Sequence, residues 1–310
     1  MNIKFKIWLR AIRFKFLASS ALAVTNGFAM SFWYNTLSFD WFYAILTYLG
    51  IFCLHASVDL FNDYWDFKRG IDLLTKKTRF SGGTGVLPEG LLKPKQVYTA
   101  AIIFLCLGLL IGSFFVYTKG YVIALILLFA TMSIVLYTTK FVNIGIGELF
   151  VSIKGLLIVI GSFYVQNGII ISELLPLGIV VGSLSSLVLY VNSIPDIVPD
   201  KTKGRKTLAI VLQSLNKTKL FIFIVFLFTF VYCVSILFFL FSLHQPWGTL
   251  VPFLTIPLAL QISRKFHAFY FDNNCIIDKN FENIMGKTVL FSRTFGLMLA
   301  ISIIIITLSF

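Results

Sequence analysis

The sequence predicts an all-α polytopic membrane protein, a bundle of about nine transmembrane helices, and three observations predict it. Of the 310 residues, 58% are hydrophobic and only 13% are charged, whereas a soluble domain carries about 25% charge. Apolar runs long enough to cross a bilayer, about 20 residues each or about 17 at the short end, recur along the whole chain. Finally, 23 of the 26 Lys and Arg residues lie in the N-terminal tail or in or beside every second loop. That is the bias of a cytoplasmic face, and it places the N-terminus in the cytoplasm of a multi-pass cell-membrane protein.

The elements follow in order. MNIKFKIWLRAIRFKF is basic and aromatic, with no small-residue cleavage site behind it, so it reads as an uncleaved interfacial lead. The spans run near 11–33, 41–61, 97–117, 121–138, 147–165, 172–194, 218–243, 249–263 and 289–309. The eighth is the weakest, being short and holding Pro252 and Pro257. On the outer side the basic residue is Lys119, while Lys154 and Arg293 fall inside spans. Lys154 has Glu148 as a possible partner, and Arg293 can snorkel inward. Residues 1–310 read as a single membrane domain. The net charge of +13 is divided among membrane loops, so it marks topology and attraction to anionic lipid and excludes nucleic acid as a partner. The four cysteines and three histidines show no metal-ligand spacing.

Chemistry concentrates on the inner side. At the inner end of the second span, Asp59, Asn62, Asp63 and Asp66 stand at i, i+3, i+4 and i+7, on one helical face. Acids that close repel one another, and helix surfaces ordinarily set acids against bases at this spacing. A bound cation resolves the conflict. At the inner end of the sixth span, Asn192, Asp196 and Asp200 step by four, with Pro195 and Pro199 predicting a kink. Asn62-x-x-x-Asp66 and Asn192-x-x-x-Asp196 are the same pattern at one membrane level. Mg²⁺ takes one or two carboxylates plus water and substrate phosphate. Lys68 and Arg69 flank the first cluster, and Lys201, Lys203, Arg205 and Lys206 follow the second. Acids for metal and bases for phosphate oxygens are the two halves of a diphosphate site. A cation or metabolite transporter, the rival of another class, would put ionisable groups near the midplane with access from both faces.

At these residues the sequence resembles the UbiA superfamily of intramembrane prenyltransferases. The segments NDYWDFKRGID, FSGGTGVLPEGLL, GIGELFVSIKG and IPDIVPDKTKGRKTLAI look most like its menaquinone branch, the 1,4-dihydroxy-2-naphthoate polyprenyltransferases. The likeness extends in order over residues 10 to 300. It implies Mg²⁺ held by Asn62, Asp63, Asp66, Asn192, Asp196 and Asp200, the four aspartates also being the catalytic set. It further implies that Lys68, Lys201, Arg205 and Lys206 hold the diphosphate of a polyprenyl donor. The third acid of the first motif is replaced by Gly70, with Asp72 two residues on. Candidate acceptor neighbours are Arg79, Tyr137 and Tyr190. The acceptor implied is 1,4-dihydroxy-2-naphthoate or a similar quinone precursor, with another aromatic ring or a glycerol phosphate ether lipid as the alternative. The Gly-rich loop Lys76–Leu92 is expected to close over the site and keep water out.

Overall fold

The computed structural model describes residues 3–72, 74, 77–136, 145–271 and 279–309. A short amphipathic helix α1 (Ile3–Ala11) leads into α2 (Leu17–Tyr34), followed by α3 (Trp41–Lys68), α4 (Pro94–Lys119), α5 (Tyr121–Leu136), α6 (Gly147–Asn167) and α7 (Leu174–Ser193). Two short helices follow at the mouth, α8 (Ile197–Thr202) and α9 (Leu208–Leu215). The chain then crosses back through α10 (Lys217–Leu237), α11 (Leu250–Phe253), α12 (Ile256–Phe271) and α13 (Lys279–Leu308).

Local chemistry sets these ends. Asp40 caps α3 by accepting from the amides of Phe42 and Tyr43, Thr207 caps α9, and Asn216 caps α10. Pro94 opens α4, where the missing N–H costs nothing. Gly168 ends α6 at φ +69°, a conformation that disfavours side chains with a Cβ.

By length and composition six described helices can cross a membrane: α3, α4, α6, α7, α10 with its continuation to Ser242, and α13. The expected first, fourth and eighth spans coincide with α2, α5 and α12, which fall outside that set. α2 is diluted by Ser19, Ser20, Thr25, Asn26 and Ser31, and α5 and α12 have 16 residues each. The eighth is broken as its prolines require: α11 stops at Phe253, and α12 starts at Ile256 with Pro257 in its first turn. In α4 only 17% of the most apolar window is buried inside the protein. Many of its other residues, among them Ile102, Ile103, Leu107, Leu110 and Phe114, are exposed, as contact with lipid demands.

Helices meet through small residues, the usual device where lipid removes the hydrophobic drive between them. A Cβ on Gly155 would stand 2.6 Å from Cα of Gly182, so α6 and α7 touch backbone to backbone. Ser57 of α3 donates to the Ala101 carbonyl of α4 at 2.9 Å. Asn26 of α2 donates to the Gly296 carbonyl of α13 at 3.0 Å. The core between α2, α6, α7, α10, α12 and α13 includes the fully buried Phe163, Phe266, Phe281, Phe291 and Phe295.

Candidate active site

The basic face gathers the inner ends of α3 and α7, the short helix α8 and the loop between α3 and α4. The first acidic face is continuous, because α3 runs unbroken to Lys68. The second is not. α7 ends at Ser193, the backbone turns at Pro195, and Asp196 stands as the residue before α8, which carries Asp200 in its first turn. The predicted kink therefore lies between Asn192 and Asp196.

The two motifs meet. Arg205 donates from Nη2 to Asp66 of α3 and from Nη1 to Asp200 at 3.2 Å. Burial opposes the charge of Arg205, but Asp66 and Asp200 outweigh it and its pKa is raised. Asp200 is itself raised by burial, with Arg205 pulling the other way. Burial and then Asp200 push Asp196 up to about 7, with the Gly82 amide opposing the shift.

The Gly-rich loop lies over this pair. Thr84 Oγ1 donates to Asp63 Oδ2, and Arg13 donates to Asp63 Oδ1 at 2.8 Å. Arg13 sits at φ +46° in the turn between α1 and α2, an uncommon conformation for a side-chain residue. Burial disfavours its charge, yet Asp63 and Asp59 more than compensate and its pKa is raised. Gly83 is at φ +69°, and a Cβ there would stand 2.8 Å from Asp72 Oδ1, so both conformation and space call for glycine. Burial, then Asp66 and Asp63, push Asp72 up to about 8. Gly70, in place of the third acid, leaves room beside Lys203: a Cβ there would be 3.5 Å from its Nζ. The loop is anchored from outside by Arg10, which bonds to the Thr84 carbonyl at 2.7 Å and pairs with Glu89.

The remaining expected site residues are distributed as follows. Asn62 is half-buried on the α3 face, while Lys68, Lys201 and Lys206 are exposed around the mouth. Lys68 lies 5.1 Å from the Trp65 ring. The exposed side chain of Arg79 lines a separate cleft of about 340 Å³ with Lys279 and Lys287 of α13, and its amide bonds to Glu282. Tyr190 is fully buried, its hydroxyl directed to the Leu220 carbonyl at 3.3 Å and its ring against Phe223. Tyr137 lies outside the described residues. Arg293 bonds to the Lys15 carbonyl, so its charge does point inward along the α2–α13 seam. Residues not singled out from sequence are Arg13, Thr84, Arg10 and Glu89. Arg10 and Arg13 looked like topology signal, and Thr84 is one hydroxyl in a polar loop.

Among the described residues, no three acidic, histidine or cysteine side chains are grouped closely enough to hold a metal as they stand. Guanidinium groups occupy the spaces between them: Arg205 between Asp66 and Asp200, and Arg13 beside Asp63. The donor set still suits Mg²⁺. It is all oxygen, as a hard cation prefers, and Asn192 Oδ1 and Asp196 Oδ1 are buried with no hydrogen-bond partner. Orphaned buried acceptors of this kind are costly unless something positive meets them.

Comparison with known proteins gives three findings. The family model described as "UbiA prenyltransferase family" matches residues 22–284. A 1,4-dihydroxy-2-naphthoate octaprenyltransferase of Bacillus subtilis is 29% identical over 299 residues, covering 93% of this chain and 89% of its own. The Escherichia coli protein of that name is 29% identical over 264 residues, covering 83% of each chain. A UbiA homolog from Archaeoglobus fulgidus, solved bound to DMAPP and Mg²⁺, superposes with TM-score 0.61 at 15% identity, over 95% of this chain and 99% of that one. This last likeness is one of fold.

Proposed function

The chain belongs to the UbiA prenyltransferase family, and from that premise we propose that it transfers a polyprenyl group from an allylic diphosphate to 1,4-dihydroxy-2-naphthoate or a closely similar quinone precursor, with Mg²⁺. The carrying observation is the meeting of two acidic helix ends, on α3 and α7–α8, with Arg205 between them and the Gly-rich loop above. The relatives in Bacillus subtilis and Escherichia coli, matched over most of their length, support the choice of acceptor.

In this reading residues 1–310 act as one unit. Asp66 and Asp196, with Asn62, Asp63, Asn192 and Asp200, hold the metal. When bound, Mg²⁺ neutralises diphosphate oxygens and makes diphosphate a better leaving group. Arg205 exchanges its carboxylate partners for phosphate oxygens, and Lys201, Lys206 and Lys68 add charge from the rim. The allylic C–O bond breaks, its electron pair leaving on the diphosphate. An electron-rich ring carbon then attacks the allylic carbon, a carboxylate at the mouth or the released diphosphate takes the displaced proton, and the acceptor's carboxylate leaves as CO2, a proton taking its place on the ring. The Gly82–Thr84 strap excludes water that would otherwise capture the cation. Transport, the rival from another class, gives way to transferase because the family is one of prenyltransferases.

The test is an assay of the purified protein in lipid with Mg²⁺, geranylgeranyl diphosphate and 1,4-dihydroxy-2-naphthoate, read by mass spectrometry. A prenylated, decarboxylated naphthoquinol is the expected product, lost on chelation of Mg²⁺. Diphosphate release without it would move the search to another acceptor. Transfer that persists under chelation would sink the metal assignment.

A further inference from the structure

Away from the acid motifs, the start of the loop between α3 and α4 rests on the first turns of α13. The amide of Arg79 donates to Glu282 at 3.0 Å, and the Phe80 ring lies against Gly286, where a Cβ would stand 3.2 Å from its Cζ. Between the two segments opens the cleft of about 340 Å³, walled by Arg79, Phe80, Lys279, Glu282, Lys287 and Leu290. Lys265 of α12 stands beside Lys287. Four cationic side chains thus gather round one acid. Among the described residues none of the four forms an ion pair, and Glu282 accepts from the backbone of Arg79 instead.

Like charges gathered in this way repel one another unless an anion comes between them. The rest of α13 decides which anion fits. Lys279, Asn283, Leu290, Leu297, Ile301 and Ile304 recur at helical spacing and share one face. All six are exposed. That face is basic and polar in its first turns and apolar beyond them, and the change falls where the span expected at 289–309 enters the bilayer. A free anion would use the upper part alone. A phospholipid uses both parts, its phosphate among the bases and its acyl chains along the apolar stripe.

We propose that this cleft binds the headgroup of an anionic phospholipid. The phosphate bridges Arg79 of the loop to Lys279 and Lys287 of α13, and the acyl chains lie along Leu290, Leu297 and Ile301. A lipid held there fastens to α13 the same loop whose Thr84 bonds to Asp63. The site stands apart from the mouth and does not depend on the reaction proposed above.

The experiment titrates the full chain in detergent micelles with phosphatidylglycerol or with phosphatidylcholine, which has no net charge, and counts bound lipid by native mass spectrometry. The wild-type protein is expected to hold its first phosphatidylglycerol about tenfold more tightly than phosphatidylcholine. Lys279→Gln combined with Lys287→Gln should bring the two lipids to equal affinity. Arg79→Gln should weaken phosphatidylglycerol in the same sense, while Lys279→Arg with Lys287→Arg should keep the preference. Lys95→Gln with Lys219→Gln removes the same charge from exposed positions elsewhere and should leave the preference intact. Equal affinity of the wild-type protein for the two lipids would overturn the proposal without recourse to any variant. So would an equal loss in both Lys→Gln pairs, which would make the attraction a property of net charge and not of the cleft. Displacement of the first phosphatidylglycerol by equimolar inorganic phosphate or geranylgeranyl diphosphate would give the cleft to a free phosphate or to the donor, and overturn it likewise.

Discussion

Arg205 and Asp66, 139 residues apart in sequence, are hydrogen-bonded partners across the mouth of the bundle. The bond is one arm of a fork whose other arm holds Asp200. A planar guanidinium can serve two carboxylates from fixed positions, and later two phosphate oxygens, whereas an ammonium is a point charge. Arg205→Lys is therefore expected to raise the donor KM on the order of tenfold, about 1.4 kcal/mol, and Arg205→Gln by more. Donor binding measured in lipid checks it; Lys at wild-type affinity would show that the fork is not used.

Asp66→Asn and Asp196→Asn keep size and shape but remove the charges that face the metal and the diphosphate. Each is expected to abolish prenyl transfer while the protein still inserts and purifies as a folded species. Full turnover by both would remove the two motifs from the chemistry.

Thr84 holds Asp63 from the loop side. Hydrogen bonds to charged groups contribute about 1.5–3 kcal/mol, so Thr84→Val should lower thermal stability by about that amount. Glu89→Gln disturbs the same strap only through ion pairs to Arg10 and Lys77 that are a third or more exposed. Such pairs are worth about 0–1 kcal/mol, and a melting scan should separate the two variants clearly. Equal effects would mean that the outer ion pairs hold the loop as firmly as the Thr84–Asp63 bond does.

The α6–α7 crossing has no space to give. A Cβ on Gly182 would lie 2.2 Å from the Ser152 carbonyl oxygen, so Gly182→Val must push the helices apart. Overpacking of this kind costs about 1–3 kcal/mol, and because α7 carries Asn192, turnover should fall together with the melting temperature. A variant with unchanged melting would show that the seam can yield.

The two acid clusters were legible because carboxylates at i, i+4 and i+7 have no ordinary surface explanation, and because a second cluster repeats the first. Their facing one another followed from the diphosphate reading; that Arg205 stands between them did not, since nothing in a linear pattern states which basic residue lies there. Arg205 read as a phosphate ligand and is found, without phosphate, joining acids. Arg13 was concealed by the topology signal, because a basic residue at the start of a membrane helix already has a sufficient reason to be there. In the structure a cap starts α3 at Asp40, and α12 starts with Pro257 in its first turn, inside the span expected at 249–263. The short helix α8 was hidden in a polar run, and α9 in an apolar stretch, LAIVLQSL, too short to read as a span.

Asn26 and Gly296 tie the first long helix to the last. A chain made from its N-terminus lays down α2 at the start and α13 at the end, so this clasp closes only when synthesis is nearly complete. Until then Asn26 has only its own-helix bond to the Leu22 carbonyl, and the flank of α2 that α13 will cover is open to lipid. The order of manufacture thus leaves the bundle unsealed along one seam for most of its assembly, and the final segment to arrive is the one that shuts it.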